Sequence, residues 1–110
     1  MEMMHKEAAK GRWFLLSLEE QLGNIGSEVG RTRKWLEINE KNANNAANRA
    51  LELFDLTLSD ERWKGRRIEI ARAREIFCDA VFGDRNFEGT LEFLEKYFMQ
   101  FAMMARINKK

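Results

Sequence analysis

Leu15, Leu18, Leu22, Ile25, Val29, Thr32 and Leu36 recur at alternating spacings of three and four residues. A helix brings such positions onto one face, and the register is close to a heptad. Beside this seam runs a second stripe, Gly23, Gly26 and Gly30. Each glycine costs a helix interior about 1 kcal/mol relative to alanine, so three together need a reason. Either another helix packs very close along them, or the helix breaks near Gly23-Asn24. The seam stays in phase across the glycines, so one long helix, straight or bent, is expected over residues 12–38.

Three further helices follow from the same periodicity. Asn39 to Asn42 reads as a turn, and residues 43–58 as a helix burying Ala43, Ala47, Ala50, Leu51, Phe54 and Leu58. Ser59-Asp60-Glu61 is a helix-start signal, and Gly65 shifts the helix proper to residues 66–82, with Ile70, Ala73, Phe77, Ala80 and Val81 inward. Gly83 is placed for a left-handed cap. Thr90 is placed to cap a last helix, 90–108, with Leu91, Leu94, Phe98, Phe101 and Ala105 on its seam and Phe93, Tyr97 and Ala102 widening it. No segment alternates with period two, and proline is absent from all 110 residues. Short connections favour antiparallel neighbours. The expected fold is all-α: one domain, an antiparallel up-down-up-down four-helix bundle with a long first helix. That helix would span roughly 40 Å at ~1.5 Å per residue. Its overhang at Trp13 and Phe14 either offers a dimerisation surface or lets Trp13 fold back onto its own core.

Composition narrows the function classes. Apolar residues at 45% exceed what a disordered chain carries. Nineteen basic against eighteen acidic residues leave a charge of +1, which advertises no acidic partner or membrane surface. One cysteine, Cys78, excludes an internal disulfide and a multi-thiolate metal site. Residues 1–7 are acidic where a signal peptide is basic, and no run approaches the ~20 apolar residues of a membrane span. The expected compartment is the cytoplasm. The only histidine, His5, reads as a solvated tail residue. A di-iron bundle needs Glu-x-x-His on two helices, and helical ribonucleases of the HEPN class, similar in size, need a histidine soon after an arginine. Neither pattern exists here, nor does a phosphate-binding glycine loop, a GxSxG turn or a Cys/His pair. No enzymatic role and no cofactor are expected.

Three constellations remain. Residues 84–95 resemble an EF-hand calcium loop: Asp84, Asn86 and Glu88 supply oxygens at positions one, three and five, Gly89 the turn, and Glu95 the twelfth ligand. Glu88 is longer than usual there, Phe87 is bulky and no second loop exists. The competing reading is a plain helix connection. In an up-down bundle the starts of helices one and three share an end with the finish of helix four. That end gathers Lys6, Lys10, Arg12, Arg62, Lys64, Arg66, Arg67, Arg106, Lys109 and Lys110 against five acids. Arg62, Lys64, Arg66 and Arg67 could grip phosphates while Trp63 stacks on a base; the competing reading is a solvated, charge-mixed surface. Third, Arg74 lies on an inward stripe and requires carboxylates. Glu28 and Asp55 are the candidates for a buried polar cluster, with Cys78 a small hydrophobe beside it. Finally, Met99, Met103 and Met104 cannot all point inward with Phe98 and Phe101, so some of them are expected to meet a second subunit or a hydrophobic ligand. Trp13, Phe14, Met99 and Met103 are the expected oligomer interface.

Four stretches carry a resemblance: residues 24–31 (NIGSEVGR), 49–57 (RALELFDLT), 72–79 (RAREIFCD) and 95–98 (EKYF). From Arg12 to Arg106 the chain resembles small bacterial helical proteins found as orphan reading frames or in mobile gene cassettes. In architecture it is similar to the four-helix proteins of ribosomal intervening sequences and to retroelement accessory proteins. That resemblance implies oligomers and, in the accessory case, a basic surface holding nucleic acid. It is one of size and helix pattern and transfers no functional residue. The expected function is a non-catalytic, self-associating bundle, a dimer by preference, that binds a macromolecular partner and no membrane. Nucleic-acid binding at the basic end and calcium binding at residues 84–95 are the alternatives.

Overall fold

The computed structural model describes residues 11–83 and 88–108. His5, the terminal lysines Lys6, Lys10, Lys109 and Lys110, the loop residues Asp84 and Asn86 and the side chain of Glu88 lie outside the described residues. Those described form helices and turns and no strand: α1 Leu18–Trp35, α2 Glu40–Leu58, a 3-10 segment Glu61–Arg66, α3 Arg67–Phe82 and α4 Glu88–Asn108.

Local capping chemistry sets these limits. Ser17 heads a capping box: its hydroxyl accepts from the Glu20 N–H at 3.1 Å, and the Glu20 carboxylate accepts from the Ser17 N–H at 2.9 Å. Helix one therefore starts at Leu18 rather than at residue 12. The preceding chain turns back instead of extending the helix. Asn39, expected in a turn, caps α2 by accepting from the Asn42 N–H, so α2 begins at Glu40 rather than 43. Asp60 caps the 3-10 segment in the same way through Arg62. Gly83 is extended, with φ −76° and ψ 173°, and not left-handed. Thr90 lies within the first turn of α4 and does not precede it.

At about 1.5 Å per residue the 18 residues of α1 match the 19 of α2, so among the described residues α1 does not overhang α2. Trp13 folds onto the core with 6% of its surface exposed, and Phe14 packs half-buried against the same cluster. Of the two readings open for Trp13, the structure takes the fold-back onto its own core. Leu15, expected on the seam, is 82% exposed because it sits in the turn before α1.

α1 runs unbroken through its glycines and packs most extensively against α4 and α2, while α3 packs on α2 and α4. Gly23 faces Ala102, Gly26 faces Phe98 and Gly30 faces Glu95. A Cβ on Gly26 would lie 2.5 Å from the Phe98 Cβ, and one on Gly23 would lie 2.9 Å from the Ala102 Cα. Two helices thus touch backbone to backbone, and this approach is what the glycine stripe is for. Behind it, Phe54 of α2 stacks against Phe77 of α3 at 6.0 Å and Phe98 of α4 at 5.8 Å, tying all helices to one core. Ile25, Val29, Ala47, Ala50 and Leu91 fill the space around them. No helix among the described residues is long and apolar enough to cross a membrane.

Replacing glycine by alanine ordinarily strengthens a helix by close to 1 kcal/mol. Gly26→Ala is expected to do the reverse and lower unfolding free energy by about 1–3 kcal/mol, the usual cost of overpacking. Chemical denaturation checks this. A variant as stable as the parent would contradict the backbone contact.

Candidate interaction surface

α4 presents two apolar faces. Leu91, Leu94 and Phe98 are buried against the other helices, with Phe101 half-buried beside them. On the opposite side Phe93, Met99, Met103, Met104 and Ile107 all stand exposed, Met103 at 51%, Phe93 at 66% and Ile107 at 70%. Phe93, expected to widen the inner seam, is therefore turned outward. Glu92, Lys96, Gln100 and Arg106 are interspersed among them.

Two shallow grooves border this face. One, of about 290 Å³, runs along Met99 and Met103 and is rimmed by Arg33, Glu92 and Lys96. The other, of about 460 Å³, lies between α3 and α4, where Ile68, Ile76, Phe93 and Tyr97 line an apolar trough. Its polar edge is a relay: Arg66 donates to Glu69 at 3.0 Å, and the Tyr97 hydroxyl donates to the same carboxylate. Arg66 and Tyr97 hold the Glu69 carboxyl below its usual range. Burial, and then the Glu69 carboxylate, push the Tyr97 phenol up to about 12.

The basic end is organised by internal bonds. Arg62 grips Asp60 through Nε and Nη2 at 3.0 and 2.7 Å and donates to the Leu16 carbonyl at 2.8 Å. Arg67 donates to the Leu58 carbonyl at 2.9 Å and faces Glu61 at 3.7 Å. Arg66 is held by Glu69. Lys64 alone of the set is exposed with no ion pair among the described residues. Trp63 lies half-buried, its ring 4.4 Å from the Arg62 guanidinium and its N–H donating to Gln21 at 2.9 Å. Gln21 is fully buried and completes the set, donating to Asp60 at 3.1 Å and to the Trp13 carbonyl at 2.9 Å. The Trp13 N–H in turn finds Thr57 at 3.1 Å. Arg62 first, with Gln21 assisting against the opposing effect of burial, draws the Asp60 carboxyl down to about 2.

The expected Glu28–Asp55–Arg74 cluster divides in two. Arg74 pairs with Asp55 at 3.0 Å in a largely solvated position. Glu28 is buried, and it accepts from Arg31 at 2.8 Å and Arg49 at 3.4 Å instead. Arg49 was the better-placed cation because α2 packs directly on α1. Cys78 is half-buried beside Arg74. Of the four candidate calcium ligands only the Glu95 side chain is described, and it accepts from Arg33 at 2.8 Å. Among the described residues no three His, Cys, Asp or Glu side chains gather closely enough to hold a metal ion.

Residue-type reasoning passed over Gln21, Thr57, Ile68 and Ile76. A signal existed for each pair: Gln21 falls on the core side of the first seam, and Ile68 and Ile76 lie two turns apart on one face of α3. Comparison with protein-family models, with curated proteins and with solved structures finds no match to this chain.

Tyr97 is the only tyrosine, so its titration reads one group. A phenol raised from 10 to about 12 stabilises the fold fully below pH 10 and loses that contribution as pH rises through 12. Phenolate absorbance should therefore reach only about a tenth of its full value at about pH 11 while the helices persist, and Glu69→Gln should move the midpoint down. A midpoint at the ordinary value of 10 would contradict the relay.

Proposed function

We propose that this chain is a non-catalytic, self-associating helical bundle that acts by binding a macromolecular partner. The observation that carries this reading is the outward apolar face of α4, with Phe93, Met99, Met103, Met104 and Ile107 exposed together. Full burial of a side chain of this kind contributes roughly 1.5–3 kcal/mol. We read five such exposures along one side of a single helix, in so small a protein, as a surface that works when covered. Met-rich faces adapt to what covers them, since the thioether side chain repacks at little cost.

The topology proposed with it is an antiparallel up-down-up-down bundle. Its support is the order of facing residues, in which Gly23, Gly26 and Gly30 meet Ala102, Phe98 and Glu95, together with the short connections. The absence of catalysis is proposed because the groups with displaced pKa values have protein partners: Asp60 is held by Arg62 and Gln21, Glu69 by Arg66 and Tyr97. Such displacement reflects structural pairing as readily as catalysis. The basic end is taken as structural for the same reason, since Arg62, Arg66 and Arg67 spend donors on carboxylates and carbonyls of their own chain.

Light scattering tests the proposal. The parent chain should show a mass approaching twice 13.0 kDa as concentration rises. Met103→Glu should hold it at the single-chain mass with its helical circular dichroism unchanged. A parent that stays monomeric at high concentration, or a Met103→Glu variant as dimeric as the parent, would count against the α4 face.

A further inference from the structure

We infer that the outward face of α4 is a two-fold seam that receives the α4 of a second copy of this chain, running antiparallel, with Phe93 of each copy packed on the partner's Met103. This rests on the self-association reading above and specifies its geometry.

The outward arc has a register of its own. Phe93, Lys96, Gln100, Met103 and Ile107 follow spacings of three, four, three and four, and every one is exposed. That is a second heptad seam on the same helix, opposite the one that fills the core. Tyr97 and Met104 flank it towards α3, while Glu92, Met99 and Arg106 flank it towards α1. Two identical seams can meet parallel or antiparallel, and Lys96 decides between them. In a parallel pair each heptad position faces its own copy, which sets Lys96 against the partner's Lys96 inside the seam. Desolvating two like charges against each other is strongly unfavourable.

In the antiparallel pair the core layers become Phe93 with the partner's Met103 and Lys96 with the partner's Gln100. The ammonium then donates to an amide oxygen in two symmetry-related layers at the centre of the seam, and polar layers of this kind fix register. The flanks also match. Glu92 falls opposite the partner's Arg106, Tyr97 lies beside the partner's Tyr97, and Met99 meets the partner's Met99 close to the axis. Arg106 has no ion pair among the described residues, and Glu92 holds only a loose contact to Lys96 at 3.7 Å, so both are available. The face is complementary to itself in apolar, polar and charged positions at once. A surface built for an unrelated protein has no reason to be so, and this makes a second copy the occupant.

Cysteine cross-linking in a Cys78→Ser background reads the register. Met99→Cys alone should give a disulfide-linked dimer under mild oxidation, because the two positions meet close to the axis. Phe93→Cys alone should not. Its two positions would lie roughly 15 Å apart at ~1.5 Å per residue, and a disulfide needs Cα atoms within about 7 Å. Chains carrying Phe93→Cys mixed with chains carrying Met103→Cys should link only as mixed dimers. Glu92→Arg should weaken the dimer about tenfold, as two exposed pairs turn repulsive, and Arg106→Glu in the same chain should restore it. Equal cross-linking at 93 and 99 would mean a parallel seam and overturn the register while leaving self-association standing. A dimer without cross-links at 99 or between 93 and 103 would place the contact elsewhere and overturn the inference. A monomeric parent would remove both this geometry and the reading beneath it.

Discussion

The backbone contact between α1 and α4 governs the molecule. Because Gly23 and Gly26 have no side chains, Ala102 and Phe98 settle onto the α1 backbone, and α4 can rotate in only one way. That rotation sends Leu91, Leu94 and Phe98 into the core and brings Phe98 into edge contact with Phe54. It also decides what is left outside. Phe93, Met99, Met103, Met104 and Ile107 face solvent because the inward positions are already taken. The face proposed for association is thus a direct consequence of how tightly the two helices close.

The end of the bundle that carries Trp13 and Trp63 is held differently, by buried polar bonds rather than by apolar contact. Gln21 joins both tryptophans and Asp60, and Arg62 closes the set over Asp60 and the Leu16 carbonyl. Each of these donors and acceptors would cost about 1–3 kcal/mol if buried unpaired. The network therefore fixes one arrangement of the chain entering α1 against the 3-10 segment. Within it Arg62 spends its donors on Asp60 and the Leu16 carbonyl.

Periodicity made much of this readable from the order of residues alone. The seam Leu18, Leu22, Ile25, Val29 and Thr32 is buried as expected, as are Ile70, Ala73, Phe77 and Ala80. The methionines of α4 project outward for the reason already visible in their spacing, since Phe98 and Phe101 occupy the inner positions. What escaped was of two kinds. Local capping escaped because a long hydrophobic seam masked the Ser17-to-Glu20 box, and with it went the overhang and the free Trp13. Long-range pairing escaped because residue type names a charge without naming its partner: Glu28, expected to meet Arg74, meets Arg49. Only the packing of α2 on α1 distinguishes them.

Hydroxyl-radical footprinting of the parent chain across a concentration series tests most directly whether the outer face of α4 is covered by another copy. Labelling of Phe93, Met99 and Met103 should fall as concentration rises, while Leu15 and Ile38, exposed elsewhere on the surface, should label equally throughout. Unchanged labelling along α4, or protection of Leu15 or Ile38 in its place, would contradict the account.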